Sequence, residues 1–375
     1  MIQGLKVRLE PNNEQNSKLW QSAGTARFAY NWALSRQQEN YKNGGKFISD
    51  RELRKEFTIL KNTEEYQWLY NYSNNITKQA IKDACGAYVK FFKKHADRPK
   101  FKSKGKSKPK FYQDTEKIKF TETHVRIEKV GWVRLSEANR IPQNVKYTNP
   151  RVTFDGVHWY VSVGIEAEPN VVALTNESVG IDLGLKDLAV CSNRPEPYEN
   201  INKTKKIKKL EKKKRRLQRR VSKKYLKNKE GESYVNTGNI VKLEKKIRKL
   251  HRHLENIRTD YRHQVTAEIV KTKPSRIVME SLNVSGMMKN KHLSKSIASQ
   301  GFYEFKKTLA YKCEKCGIEF VEADKWYPSS KTCSQCGHVK KRLSLSERTF
   351  VCGHCGYEID RDKNASINLS RYKVS

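Results

Sequence analysis

Three carboxylates in this sequence stand where carboxylates are costly. Asp182 interrupts the apolar run "VGIDLGL", Glu280 ends the run "RIVME", and Asp362 falls in "DRDKNAS". A carboxylate following apolar strand residues loses hydration that a cation must restore, and converging carboxylates repel one another unless a metal lies among them. Two divalent ions about 3.5–4 Å apart, held by such groups, can activate a water and stabilise the leaving oxygen of a phosphodiester. Each residue also has a plain reading alone, because an aspartate at a helix start is commonly a cap. Metal-dependent phosphodiester hydrolysis is therefore one of two readings the spacing leaves open.

A second metal pattern is sharper. Cys333-x2-Cys336 is followed after fifteen residues by Cys352-x2-Cys355, the four-thiolate spacing of a zinc ribbon, and four protein ligands leave no open position for catalysis. One structural Zn²⁺ is expected. Cys313 and Cys316 form another CxxCG pattern, so spacing alone also allows them to join 333 and 336. The set 333/336/352/355 is preferred because residues 318–326 read as a strand leaving the earlier pair. Cys85 and Cys191 read as ordinary packed residues.

The partner class comes from charge. The 375 residues carry 77 Lys+Arg against 40 Asp+Glu, a formal charge of +37. Such an excess repels itself, and a polyanion, above all nucleic acid, relieves it. No apolar run is long enough for a membrane span and "MIQGLKVRLEP" lacks a signal peptide's apolar centre, so a cytoplasmic protein without a membrane partner is expected. The reading of the CxxC cysteines as metal ligands fits a reducing compartment.

Other elements must position these groups. Ile2, Leu5, Val7 and Leu9 run at about period two, and helical spacing follows from 12 to about 95. Residues 97–112 read as a flexible basic loop. Short alternating runs from 117 to 167, cut by Gly, Pro and Asp-Gly turns, point to a small barrel that the first strand could complete. A third unit starts near Ser178 with a strand and hairpin. Of residues 203–220, 12 are Lys or Arg, with Ile207, Leu210, Leu217 and Val221 as a partial apolar stripe. A second stripe runs from Ile240 to Val265, so two long helices packed antiparallel are expected. The one-signed charge on the first would destabilise a helix unless phosphates lay against it. Residues 274–284 read as a strand, 281–300 as mobile, about 300–312 as a helix, and 318–326 as a strand before the ribbon.

The blocks "GIDLGLKDLAV", "VMESLNVSGM", "YPSSKTCSQCG" and "CGHCGYEIDRDKNASINL" resemble the RuvC-like core of the TnpB family, transposon-encoded RNA-guided DNA endonucleases related to type V CRISPR effectors. "GTARFAYNWAL" and "GWVRLSE" are similar to the same family, so the resemblance spans nearly the whole chain. It implies an α+β multidomain fold. A wedge-type β-barrel (1–12 and 113–172) would hold an inserted helical recognition domain with the basic loop (13–112). An RNase H-like RuvC domain (173–327 and 357–375) would carry a zinc-ribbon insertion (328–356) that binds target nucleic acid. By the same resemblance Asp182, Glu280 and Asp362 would be the catalytic triad holding two Mg²⁺. Asp360 then reads as the helix cap and Asn364 as a supporting group.

The resemblance further implies a guide RNA transcribed from the element's end, double-stranded target DNA, one chain per guide, and a flanking duplex motif read by the helical and barrel domains. Arg27, Tyr30, Asn31 and Trp32 could contact bases, although Tyr30 and Trp32 read first as core. Residues 281–300 are placed like a lid over the catalytic groove. Cys313 and Cys316 depart from the family's pattern. Three rivals remain: a guided repressor that no longer cuts, an RNA-independent RNase H-like transposase, and a plain structural nucleic-acid-binding protein, which leaves the acidic residues unexplained.

Overall fold

Leu5, Val7 and Leu9 alternate with polar neighbours, and Ile2–Glu10 forms strand β1. Asn12 then ends the strand and starts a helix. Its side chain accepts from the Gln15 amide at 2.8 Å, while the Gln15 side chain accepts from the Asn12 amide at 3.1 Å. This reciprocal cap opens α1 (Asn13–Lys42), and Ser49 with Glu52 repeats it for α2 (Asp50–Lys61). In the computed structural model, residues 1–168, 172–231, 233–344 and 346–373 are described. They divide into two units, Met1–Ala167 and Glu168–Ser375.

The first unit continues with α3 (Asn74–Phe92), β2 (Lys110–Tyr112), β3 (Lys119–Phe120), β4 (His124–Ile127), β5 (Gly131–Leu135), β6 (Tyr147–Phe154) and β7 (Trp159–Glu166). These strands form one sheet in the order β2-β6-β7-β1-β5-β4-β3. β1 pairs with β7 along residues 2–8 and passes to β5 at Leu9 and Glu10, so the first strand joins the two halves of the sheet. The ladder starts at β2 and ends at β3. These edge strands are three and two residues long, and no hydrogen-bonded ladder closes between them among the described residues, so the order is open. One core runs from the sheet (Val7, Val125, Val133, Val152, Val161) into the helices (Leu19, Leu34, Leu53, Ile81).

One expectation for this unit changes, and one reading left open is decided. The basic segment 97–112 is tied down, because the Asn31 side chain donates to the Lys102 carbonyl and accepts from the Lys102 amide, both at 2.8 Å. The base-contacting block is largely spent on packing. Tyr30 is buried beneath the Lys102 ammonium, and Trp32 meets the Phe57 ring edge-on with centroids 4.9 Å apart. Arg27 alone of the four lines a cavity of about 230 Å³, with Asp83, Lys102, Lys108 and Arg151.

The second unit is built on a sheet of β8 (Thr175–Leu183), β9 (Asp187–Cys191) and β10 (Tyr198–Glu199), extended by β13 (Pro274–Met279) and β14 (Glu319–Glu322). Its order is β10-β9-β8-β13-β14. β8 and β9 are antiparallel, whereas β13 runs parallel to both β8 and β14. Between β10 and β13 lies the expected helical pair, α4 (Lys205–Lys227) and α5 (Gly238–Lys271), with a minimal hairpin of β11 (Lys229–Glu230) and β12 (Ser233–Tyr234) between them. Ile207 and Val221 on α4, and Ile240, Leu250 and Leu254 on α5, are buried, and most of the Lys and Arg of α4 stay exposed.

The segment read as mobile is ordered into α6 (Val284–Met287) and α7 (Ser294–Gln300), where Ile297 and Gln300 are buried. α8 (Phe302–Cys316) is longer than expected and places Cys313 and Cys316 in its last turn before Gly317 at φ +73°, so they form no knuckle. β15 (Thr349–Val351) and β16 (Glu358–Asp360) form the ribbon hairpin, and α9 (Arg361–Ser370) is the last described helix. Among the described residues no helix is long and apolar enough to cross a membrane.

Candidate active site and metal centre

Register brings the first two carboxylates together. Met279 pairs with Ile181 in the parallel β8–β13 ladder, so the next residue on each strand, Glu280 and Asp182, stand side by side at the strands' C-terminal ends. The Leu183 amide donates to Glu280 Oε1 at 3.3 Å. Both carboxyls have raised pKa values. Burial and then the charges of Glu280 and Asp362 push Asp182 well above the ordinary carboxylate range. Burial is also the main cause for Glu280, which is pushed up to about 7, while its bonds to the Leu183 amide and the Asp182 carboxyl oppose the shift.

The third carboxylate arrives on α9. Asp360 caps that helix, its side chain accepting from the amides of Asp362 and Lys363 at 2.9 and 3.0 Å. α9 packs across β8 at Gly180, where an added Cβ would collide with the Ser366 carbonyl and come within 2.9 Å of the Leu369 carbonyl carbon. Only glycine allows that approach, and it sets Asp362 in the field of the Asp182–Glu280 pair. The Lys363 ammonium fastens the helix from the other side by donating to the carbonyls of Cys191, Ser192 and Arg194 at 2.9, 2.9 and 2.7 Å. Neither Gly180 nor Lys363 was singled out from the sequence. The small residue inside "VGIDLGL" was the available signal for the first, and nothing in the local pattern marked the second.

The three carboxylates are near one another without being gathered as tightly as thiolates round a zinc. Asp362 is paired with Arg361, at 3.1 Å, and with Arg348, at 3.7 Å. Among the described residues, the only group of three or more His, Cys, Asp or Glu whose ligand atoms all lie within 4.8 Å is Cys333, Cys336, Cys352 and Cys355. Beside Glu280 a cavity of about 180 Å³ is lined by Leu183, Asn283, Tyr303 and Lys306, among others.

The cysteine set suits zinc. A tetrahedron with metal–sulfur bonds of about 2.3 Å has sulfurs about 3.8 Å apart. Cys333 Sγ lies 3.7 Å from Cys355 Sγ, and Cys336 Sγ 3.6 Å from Cys352 Sγ. Cys313, by contrast, is buried in the core on the inner face of α8 and is not among the gathered thiols. The expected choice of 333/336/352/355 over the 313/316 pairing therefore agrees with the geometry. The ribbon is fastened to α9: Asn364, fully buried, accepts from the Ser334 amide at 2.9 Å and donates to the Thr332 carbonyl at 2.7 Å. Asn368 donates to the carbonyls of Ser329 and Thr332 at 2.7 and 2.6 Å.

Known proteins resemble the chain throughout. Three family descriptions match it: "Helix-turn-helix domain" over residues 1–46, "Probable transposase" (OrfB_IS605) over 160–291, and "Cas12f1-like, TNB domain" over 302–369. It is 33% identical to the "Putative RNA-guided DNA endonuclease InsQ" of Escherichia coli (strain K12), over 98% of this chain and 91% of that protein. A protein of Streptomyces pristinaespiralis whose name carries the same activity is 28% identical, over 97% of this chain and 87% of the relative. The cryo-EM structure of a Cas12f1–sgRNA–target DNA complex shares the fold at a TM-score of 0.56 and 13% identity, covering 99% of this chain and 98% of that one.

Proposed function

Because the chain belongs to the TnpB family, the RNA-guided DNA endonucleases of IS605-type transposable elements, we propose that Asp182, Glu280 and Asp362 form the site at which it cuts its target. The protein is an RNA-guided DNA endonuclease whose partners are a guide RNA and target DNA. The observation that carries the site assignment is the Asp182–Glu280 pair: two adjacent carboxyls with raised pKa values, facing a third acid, in a chain of charge +37.

The donor set fits a hard divalent cation, since it consists of carboxylate oxygens. When bound there, two Mg²⁺ would supply an activated water and stabilise the leaving oxygen of the phosphodiester. The chain's own residues prepare for this. Burial and the charge of neighbouring carboxylates raise both the Asp182 and Glu280 carboxyls and so favour a proton on the pair, which a bound cation would displace. The Leu183 amide keeps Glu280 aimed at its neighbour. Asp362 would complete the set, and Arg361 and Arg348, paired with it at 3.1 and 3.7 Å, would bring positive charge beside a bound phosphate.

The finer architecture is read the same way. The open seven-stranded sheet would be the wedge-type barrel, the helices inserted after β1 the recognition domain, and the five-stranded sheet an RNase H-like RuvC core. Its order supports this, with an antiparallel hairpin beside two parallel strands. Residues 169–171 and 374–375, at the ends of the expected barrel and nuclease segments, lie outside the described residues. The cysteine ribbon would hold one structural Zn²⁺ and face target nucleic acid. α6 and α7 would serve as the lid. One chain would act with each guide RNA, in the cytoplasm of a prokaryotic cell.

The test is cleavage of a target plasmid by RNA-loaded protein with Mg²⁺. Asp182→Ala should abolish cutting while guide and target binding stay near wild type. Cutting that survives the substitution sinks the site assignment. A wild type that binds target without cutting fits the guided repressor, and protein purified without RNA fits the RNA-independent transposase.

A further inference from the structure

Two buried amides hold the chain as it leaves Asp182. Gln300, the last residue of α7 and 3% exposed, donates from Nε2 to the Gly184 carbonyl at 3.0 Å. Asn200, 8% exposed, donates from Nδ2 to the next carbonyl, that of Leu185, at 2.8 Å. Upstream, the Leu183 amide is taken by Glu280. The peptide run 183–185 is thus held at both ends by side chains, immediately after the aspartate assigned to the metal.

Gln300 is itself oriented from the basic helical pair. Its Oε1 accepts from Asn202 Nδ2 at 3.0 Å. Asn202 Oδ1 accepts from Arg258 Nε at 2.8 Å, and the Arg258 guanidinium donates to Glu211 of α4 at 3.0 Å. The Gln300 carbonyl accepts from Arg262 of α5 at 3.4 Å. Because a carbonyl faces one end of the Gln300 amide and a donor faces the other, the amide can point only one way. The chain of contacts runs from the strongly basic helical pair to the strand end that carries Asp182.

We propose that Gln300 is a positioning residue for the Asp182–Glu280 pair, fixing Gly184 two residues beyond Asp182 and held in turn by Asn202 and Arg258. The inference rests on reading that pair as the metal site. Outer partners of metal-binding groups set their orientation, and losing one costs about 10- to 100-fold in metal affinity or activity. A side chain of similar length without a donor leaves the Gly184 carbonyl unpaired and loosens the aspartate's placement.

The experiment compares RNA-loaded wild type with Gln300→Met and Asn202→Ala. Mn²⁺ affinity is measured by electron paramagnetic resonance without target DNA, taking Asp182→Ala as the background from ions on the RNA. Half-saturating Mg²⁺ for target cleavage is measured in parallel. The expected result is Mn²⁺ binding weakened about 10- to 100-fold in Gln300→Met and less, in the same direction, in Asn202→Ala. Half-saturating Mg²⁺ should rise in step while target binding holds. Mn²⁺ affinity within about twofold of wild type in both variants overturns the proposal, whatever happens to their stability, because a role in packing alone would move the melting point and leave the ion untouched. If Asp182→Ala binds Mn²⁺ and cuts like wild type, the metal-site reading has failed, and not the role of Gln300.

Discussion

Gly180 and Ser366 touch through their backbones: the strand of the first passes under the helix of the second so closely that the Ser366 carbonyl occupies the place of a side chain at 180. Strand β8 carries Asp182 two residues later, and α9 carries Asp362 four residues earlier. One close contact therefore sets the spacing between carboxylates 180 residues apart in sequence.

Gly180→Ala should push α9 off the sheet. Overpacking of this kind costs about 1–3 kcal/mol, and a displacement of about 1 Å at a reacting group can cost about 10²-fold in rate. The melting temperature should fall and target cleavage should drop well beyond any change in target binding. A variant with wild-type melting and wild-type cutting would show that the helix relaxes without moving Asp362.

Stability without Mg²⁺ should depend on pH through Glu280. Its carboxyl moves from an ordinary 4.5 up to about 7 in the folded protein, so between these values the native state holds a proton that the unfolded chain has lost. Stability changes with pH as the protons bound by the unfolded state minus those bound by the native state, a negative difference here. The contribution is largest below pH 4.5 and is lost as pH rises toward 7. Melting curves in zinc-replete, magnesium-free buffer across this window should fall less steeply with pH for Glu280→Gln than for wild type. Equal slopes would mean that Glu280 ionises at its ordinary value.

Removing the ribbon's metal should be felt on α9, through Asn364 and Asn368. Cys352→Ser should lose its zinc by elemental analysis, lower the melting temperature and speed amide hydrogen exchange across residues 361–370, because structural zinc contributes directly to folding. Cys313→Ala should keep one zinc per chain. Zinc lost from Cys313→Ala and retained in Cys352→Ser would reverse the ligand assignment.

Much of this was legible beforehand because it is local or chemical. A four-cysteine spacing constrains its own hairpin, two apolar stripes predicted α4 and α5, and acids set in apolar runs marked Asp182 and Glu280. Other features were misread for equally physical reasons. Residues 281–300 look polar and small, yet Ile297 and Gln300 find buried partners that composition does not reveal. Cys313 and Cys316 share the CxxCG spelling of the gathered thiols, but α8 runs through them to Gly317 and turns Cys313 into the core. Tyr30 and Trp32, open to two readings, are held in packing.

The sequence by itself determined the ingredients: the excess of positive charge, the four-cysteine spacing, the acids, the cap at Asp360, and through resemblance the family. Each follows from residue types within a few positions of one another. Tertiary structure alone decided how ingredients far apart are combined. The parallel register of β8 and β13 sets Glu280 beside Asp182, the missing Cβ of Gly180 admits α9, and Lys363 and Asn364 bind that helix to a strand end and to the ribbon. Such contacts join residues some 30 to 180 positions apart, and a local pattern cannot report them because their energy exists only once the chain has closed those distances.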